Sequence, residues 1–429
     1  MMPDWRGALF FRAEALGQFS NFVMRAITLL SRFSLLFLAA RALPVEEFGL
    51  FGLLSALVIF GQYVISMDFY TYSARQIVWQ ARRERLGILI SHMSLIVLAY
   101  AVLTISLWLA SASMVAYGLY IGVLLPLLLF ECWSQEVGRL LVALGRPAAS
   151  GVVLFIRSGA WALALSACLL LYPENVTLLV MLKAWLSASA CAAALATLLA
   201  WRSLGMTEWY FLGWRWIWRG ILVAAPFWLS SMLLRGIGFY DRVWFELLAG
   251  SYNLAAYVLY AGLAGALGSF LDAGVYSFLY PKLIARWNSG DTAGFQRILF
   301  SLCTQVVCIC AVFVLVVLVI LPFVLAWLGK PVYSENVPIL WILLFANVLM
   351  AISMVPSYAL YARGQDRLIF CCNLASFLVF GLSVFVFSYI SDFYAVPVGV
   401  ACCFGSMALT KWLGYCWVRR PVILENGRG

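Results

Sequence analysis

Six polar residues recur along an otherwise apolar stretch near the start of the chain: Glu14, Gln18, Asn21, Arg25, Thr28 and Arg32, spaced 4, 3, 4, 3 and 4 residues apart. That spacing puts all six on one face of an α-helix and leaves the other faces to Phe, Val, Leu, Ile and Ala. A later stretch repeats the pattern with Ser231, Arg235, Arg242 and Glu246. Arg157 interrupts a third apolar run, and Ser55, Gln62 and Ser66 share one face of a fourth. A guanidinium presents a planar fork of N–H donors that bonds phosphate oxygens in pairs. Arg25, Arg32, Arg157, Arg235 and Arg242 are therefore suited to an anionic ligand such as a lipid pyrophosphate or an acidic sugar, with Gln18, Asn21, Thr28, Gln62 and Ser231 as polar lining. Three acids in similar settings, Asp68, Glu131 and Asp272, are candidates for pairing with these cations or for ion coupling.

Other chemistries lack their residues. There is one histidine, His92, and no cysteine–histidine spacing that suits a metal. All eleven cysteines fall within apolar runs and read, like His92, as packed core. No GxxxxGK[ST] loop is present, and the lone histidine has no nucleophile placed to use it. The expectation is a chain with no metal and no cofactor that is not an enzyme.

The elements that carry these residues follow from composition. The 429 residues are 65% hydrophobic and only 11% charged, whereas soluble domains carry roughly 25% charged residues. So much apolar surface needs lipid as its solvent, and in lipid the backbone must satisfy its own hydrogen bonds. The apolar runs are long and continuous rather than alternating, so they form helices, not a barrel. Spans are expected at about 18–41, 49–69, 86–110, 113–136, 148–172, 177–201, 219–246, 252–279, 298–328, 336–361, 367–390 and 394–418. The connection between the sixth and seventh spans is rich in Trp and Arg. It suggests an interfacial amphipathic linker, 204–218, between lobes at 1–203 and 219–429.

Basic residues cluster in the tails and the even-numbered loops, as with Arg75, Arg82, Arg83 and Arg85, while the odd loops hold little beyond Arg41 and Lys330. The positive-inside rule then places both termini and the even loops in the cytoplasm. It also accounts for the net charge of +10 without nucleic acid as a partner. Lys411 is expected to snorkel toward the cytoplasmic face. The halves look alike. The second span ends in Asp68-Phe-Tyr-Thr-Tyr72-Ser73 and the eighth in Asp272-Ala-Gly-Val-Tyr276-Ser277, both D-x-x-x-Y-S. Arg25 and Arg32 are seven apart, as are Arg235 and Arg242. Six spans per half restore the starting side, which makes the repeat parallel, with the substrate path expected between lobes.

Three stretches carry a family resemblance: 40–77, ARALPVEEFGLFGLLSALVIFGQYVISMDFYTYSARQI; 131–161, ECWSQEVGRLLVALGRPAASGVVLFIRSGAW; and 240–287, from Tyr240-Asp-Arg through DAGVYSFLYPKLIARW. They resemble the O-antigen and capsule repeat-unit flippases of the multidrug/oligosaccharidyl-lipid/polysaccharide (MOP) exporter superfamily. The resemblance implies two six-helix lobes around a cationic cavity and alternating access. The implied cargo is an undecaprenyl-pyrophosphate-linked oligosaccharide, moved from the cytoplasmic to the periplasmic leaflet of the bacterial inner membrane. The implied partners are that cargo and membrane lipids, with a polysaccharide polymerase and a chain-length regulator on the protein side. Three other readings compete. An ion-coupled multidrug exporter of the same superfamily takes cationic cargo, which calls for acids where bases dominate here. A lipid II flippase usually has two further helices, and a membrane glycan polymerase or ligase usually carries a large external loop.

The expected topology is checked by cysteine labelling in a background free of native cysteines. A cysteine at position 83 should react with an impermeant reagent only after permeabilisation; labelling in intact cells would contradict it.

Overall fold

The computed structural model describes the backbone of residues 5–80, 82–110, 118–204 and 210–419, and the side chains of these other than 5–22, 25, 82, 83, 109, 110, 118, 119 and 419. In chain order the helices are α1 (Trp5–Ala42), α2 (Val45–Ser66), α3 (Tyr70–Trp79), α4 (Arg82–Ala110), α5 (Gly118–Ala143), α6 (Pro147–Phe155), α7 (Trp161–Leu171), α8 (Leu178–Leu204), α9 (Trp214–Leu271), α10 (Ser277–Asn288), α11 (Thr292–Leu328), α12 (Pro331–Glu335), α13 (Val337–Ala362), α14 (Asp366–Ser388) and α15 (Asp392–Arg419). One π-helical turn, Ile156–Ala160, joins α6 to α7, and another, Asp272–Tyr276, joins α9 to α10.

Ten stretches among the described residues are long and apolar enough to cross a bilayer. One of them, Trp214–Asn288, is 75 residues long, and a crossing takes only about 20 residues. It bends at Gly250, whose φ of 83° and ψ of 163° are essentially open to glycine alone, and so it supplies two crossings. With α1, 38 residues long, the crossings number about twelve, as the hydropathy pattern predicts. Boundaries differ by a few residues. The fourth span, expected at 113–136, is the helix Gly118–Ala143. The expected interfacial helix over 204–218 takes another form: 205–209 lie outside the described residues, 210–213 are non-helical, and Trp214 opens α9.

Both copies of the D-x-x-x-Y-S string fall at interruptions of helix. After α2 the chain turns through left-handed Met67 (φ 50°) and Asp68 (φ 47°) before α3 begins. Such angles are uncommon outside glycine, though aspartate tolerates them. In the later copy Asp272 opens the π turn, Tyr276 donates to the carbonyl of Ala351 at 3.1 Å, and Ser277 opens α10.

The chain packs as two units, Met1–Arg235 and Gly236–Gly429. The division falls inside α9 rather than in the connector, and the reason is local. Ile217 and Trp216 pack with Phe69, Tyr72 and Leu95, Gly220 lies against the Phe69 and Tyr72 rings, and Trp228 Nε1 donates to the carbonyl of Tyr63 at 2.9 Å.

The second unit has an extensive apolar core that includes Leu267, Tyr276, Leu302, Val355 and Tyr415. The Arg363 guanidinium stands over the rings of Tyr415, Trp287 and Phe295, at 4.5, 5.0 and 5.3 Å. Its cation–π contacts tie the α13–α14 turn to α10, α11 and α15. Asp291 caps α11, accepting from the Gly294 N–H at 2.8 Å and pairing with Arg286 at 2.8 Å. Those two contacts hold its carboxyl below the usual carboxylate range. Lys411 does not snorkel: at 1% exposure it is enclosed in the unit, near Cys372 and Cys403.

Candidate functional site

A buried polar cluster of the first unit centres on Glu131 of α5, which is 3% exposed. Four donors surround its carboxylate. Trp185 Nε1 and Ser189 Oγ, one turn apart on α8, each donate to Oε1 at 2.7 Å. Gln62 Nε2 of α2 donates to Oε2 at 3.2 Å, and Arg157 Nη1 lies 3.4 Å from the same oxygen. Arg157 also donates to Gln135 Oε1 at 2.9 Å. An ion in a low-dielectric interior is tolerable only when paired and hydrogen-bonded, and Glu131 meets both conditions.

Arg157 sits in the π turn between α6 and α7. Insertions of this kind re-aim side chains and recur at functional sites. Gly159 in the same turn lets α1 approach closely: a Cβ there would come within 3.1 Å of the Thr28 backbone and 2.8 Å of the Phe155 ring. The approach brings Arg32, one turn beyond Thr28, within electrostatic reach of both Glu131 and Arg157.

These groups line a cavity of about 190 Å³ together with Tyr63, Ser158, Trp161 and Arg235. Trp161 and Trp185 stack at 5.3 Å along it. The Arg235 guanidinium lies 5.1 Å from the Tyr63 ring centroid. Among the described residues, three guanidiniums, Arg32, Arg157 and Arg235, thus share one cavity with a single carboxylate. At ~30 Å³ per water the space equals about six waters, which is room for a phosphate or pyrophosphate.

A second buried network lies beside the first. Arg139 of α5 pairs with Glu136 at 3.0 Å and with Asp68 at 3.8 Å, and stands 4.1 Å over the Tyr70 ring. Glu136 faces His92 Nε2 at 3.4 Å, and His92 Nδ1 meets Ser73 Oγ at 2.9 Å. His92 is fully buried, but as a member of a polar chain rather than among apolar side chains alone. Both ends of the first D-x-x-x-Y-S string therefore join this network, Asp68 through Arg139 and Ser73 through His92. Ser231 is a hydrogen-bond partner of Asp68, and Arg235 is near enough to act on it electrostatically.

The remaining sequence-predicted residues are placed as follows. Thr28 is buried and donates to the carbonyl of Met24 at 2.7 Å, so it caps its own helix turn. Gln18, Asn21 and Arg25 are in α1, but their side chains lie outside the described residues. In the second unit, Arg242 pairs with Asp241 at 3.0 Å and donates to the carbonyl of Gly238; Asp241 in turn accepts from Tyr257 at 2.9 Å. Asp272 is exposed at the start of its π turn. Among the described residues no three His, Cys, Asp or Glu side chains group to hold a metal ion.

No protein-family model matches the chain, and no curated protein matches it in sequence. Solved structures do match. The fold is similar to that of a multidrug resistance MATE family transporter of the MOP superfamily in an inward-facing conformation, with a TM-score of 0.73 and 15% identity over 93% of this chain and 97% of that one. An outward-facing structure of a MATE family transporter gives 0.62 and 15%, over 93% and 94%. A MOP superfamily transporter from Pyrococcus furiosus, described as having a binding pocket of reverse polarity that suggests a different function, gives 0.60 and 15%, over 94% and 93%. The chain has the all-helical fold of MOP superfamily transporters.

The ion pair at the centre of the cavity is testable by stability. Glu131→Leu strands Arg157, Trp185, Ser189 and Gln62 around an apolar side chain. Breaking a buried pair from one side costs about 3–5 kcal/mol. The thermal midpoint in detergent should fall by several degrees, and Glu131→Leu combined with Arg157→Met should recover most of the loss. Equal midpoints for the wild type and Glu131→Leu would show that the pair holds nothing.

Proposed function

We propose that this protein is a flippase for an anionic, lipid-linked glycan precursor, with an undecaprenyl-pyrophosphate-linked oligosaccharide as cargo, carried by alternating access across the bacterial inner membrane. One observation carries the reading: among the described residues, Arg32, Arg157 and Arg235 line a common cavity in which Glu131 is the one carboxylate. Charges in a membrane interior are costly and mark ligand paths. An excess of fixed cations there selects for an anion. The cavity's volume accommodates a pyrophosphate, and the glycan and the prenyl tail would extend beyond it. The stacked pair Trp161–Trp185 borders the same space.

The three acids differ in what they can do. Both oxygens of Glu131 are engaged by donors, which favours a fixed charge over a proton carrier. Asp68 sits at a backbone break, next to Arg139 and near Arg235. It is the acid we favour for ion coupling, because neutralising it would loosen a contact at the end of α2. Asp272 is exposed in the second unit.

A second reading, a multidrug exporter, draws on the solved transporters of this fold, which carry that description. It requires a cavity that welcomes cations, and the three arginines oppose one.

Transport by the purified protein in proteoliposomes decides between them. A fluorescent pyrophosphate-linked oligosaccharide lipid should cross the bilayer, and Arg32→Ala and Arg157→Ala should each slow it at least about tenfold, the equivalent of one lost charge-assisted hydrogen bond. A cationic dye such as ethidium should not be moved. Dye transport that persists in the arginine variants, with no movement of the glycan lipid, would establish the multidrug reading instead.

A further inference from the structure

We infer that the first unit carries a binding site for an anionic phospholipid on its outer face, distinct from the arginine cavity. One acyl chain would occupy a cleft between α4 and α8, and the phosphate would rest on Arg85 and Arg202.

The cleft consists of two adjoining hollows of about 710 and 590 Å³ that share Val97, Trp133, Thr197 and Trp201. Helix α5 forms its floor with Trp133. The α8 wall is built from small residues, Ala190, Ala194 and Thr197 among them, which leaves width between the helices. Trp133 Nε1 donates to Thr197 Oγ1 at 2.9 Å, so the polar atoms at the waist satisfy each other and the remaining surface is apolar. Val97, Leu198 and Trp201 are 48%, 45% and 38% exposed.

Two observations specify the occupant. The first is length. From Trp201 at one end to Ala190 at the other, the α8 wall rises about 16 Å, and the α4 wall from Leu86 to Ala101 about 22 Å, at 1.5 Å per residue, less than a ~30 Å hydrocarbon core. That is the reach of one phospholipid chain. A polyprenyl tail is longer than the cleft. The second is charge. Leu86 and Trp201 both line one end. Their chain neighbours are Arg85, at the start of α4, and Arg202, exposed in the last turn of α8. Arg85 donates its Nε–H to the carbonyl of Gln80 at 3.3 Å, which fixes the guanidinium beside the start of α4, and a guanidinium has further N–H donors to offer. Among the described residues there, the exposed Glu84 is one acid against these two bases. An apolar slot with the reach of one chain and a basic mouth matches a phospholipid with a net negative headgroup, and matches a zwitterionic one less well.

The test is native mass spectrometry of the delipidated full-length protein, titrated with phosphatidylglycerol, with phosphatidylcholine of identical chains, and with a polyprenyl phosphate. Phosphatidylglycerol should bind at least about tenfold more tightly than phosphatidylcholine. Replacing Arg85 and Arg202 together by Ala should abolish that preference while leaving chain binding. Ala194→Trp, at an exposed position where bulk fills the cleft without entering the core, should weaken both phospholipids about tenfold. Ala190→Leu serves as a smaller plug should Ala194→Trp fail to purify, and Leu378→Trp on the second unit should change nothing. Equal affinities for the two phospholipids, or binding untouched by both plugs, would overturn the proposal. So would polyprenyl phosphate displacing phosphatidylglycerol at lower concentration with the same sensitivity to the plugs, since the cleft would then belong to a prenyl tail.

Discussion

A carboxylate inside a membrane must be paired, and the first unit is organised around the way Glu131 meets that demand. Its four donors come from α2, the π turn and α8. Each donor fixes the helix it stands on relative to α5. The π turn aims Arg157 inward, and Gly159 admits α1 at close range, so that Arg32 joins the cluster. Because Glu131 satisfies only part of the charge gathered around it, the unit holds, among its described residues, an excess of cation in the cavity. The site is a by-product of a pairing in which three guanidiniums share one carboxylate.

The second network extends the same logic to the end of α2. Arg139 is shared between Glu136 and Asp68. Asp68 is held in a left-handed conformation, which the surrounding contacts stabilise. A change in its charge would be felt by Arg139 and by Ser231 on α9. This is a short physical route between a titratable group and the helix that carries Arg235. By contrast, Arg242 and Asp241 satisfy each other within one helix turn, and Arg363 and Lys411 of the second unit are held by aromatic rings and burial rather than by acids.

Much of this was legible in the sequence, for reasons that individual residues make plain. Span positions follow from unbroken apolar runs, which have no other solution in lipid. Arg32, Arg157 and Gln62 were recognisable because a polar side chain in such a run needs a reason. The partners were harder to see. Glu131, Ser134, Gln135, Gly138 and Arg139 follow a 3–4 residue spacing on α5, a polar stripe as regular as that of the first span. Glu131 stands out of it as a charge in an apolar run, whereas Ser134, Gln135 and Gly138 read as ordinary helix residues. Trp185 and Ser189 sit one turn apart amid alanine and leucine and look like ordinary helix surface; only the fold shows that they face a carboxylate. His92 reads as apolar core for the same reason. The break at Met67–Asp68 has no Gly or Pro to announce it, and the first turns of α9 resemble an interfacial linker because their Trp residues suit a headgroup layer as well as they suit Phe69 and Tyr72.

The central claim is that Arg32, Arg157 and Arg235 hold a phosphate-bearing group inside the first unit. Equilibrium binding of a polyprenyl pyrophosphate to the purified protein tests it most directly, read across ionic strength and with the cationic dye ethidium as comparison. The account predicts saturable binding that weakens with salt and falls at least about tenfold in Arg157→Gln and Arg235→Gln, with no measurable affinity for the dye. Affinity for the pyrophosphate that is indifferent to all three arginines, or a preference for the cation, would contradict it.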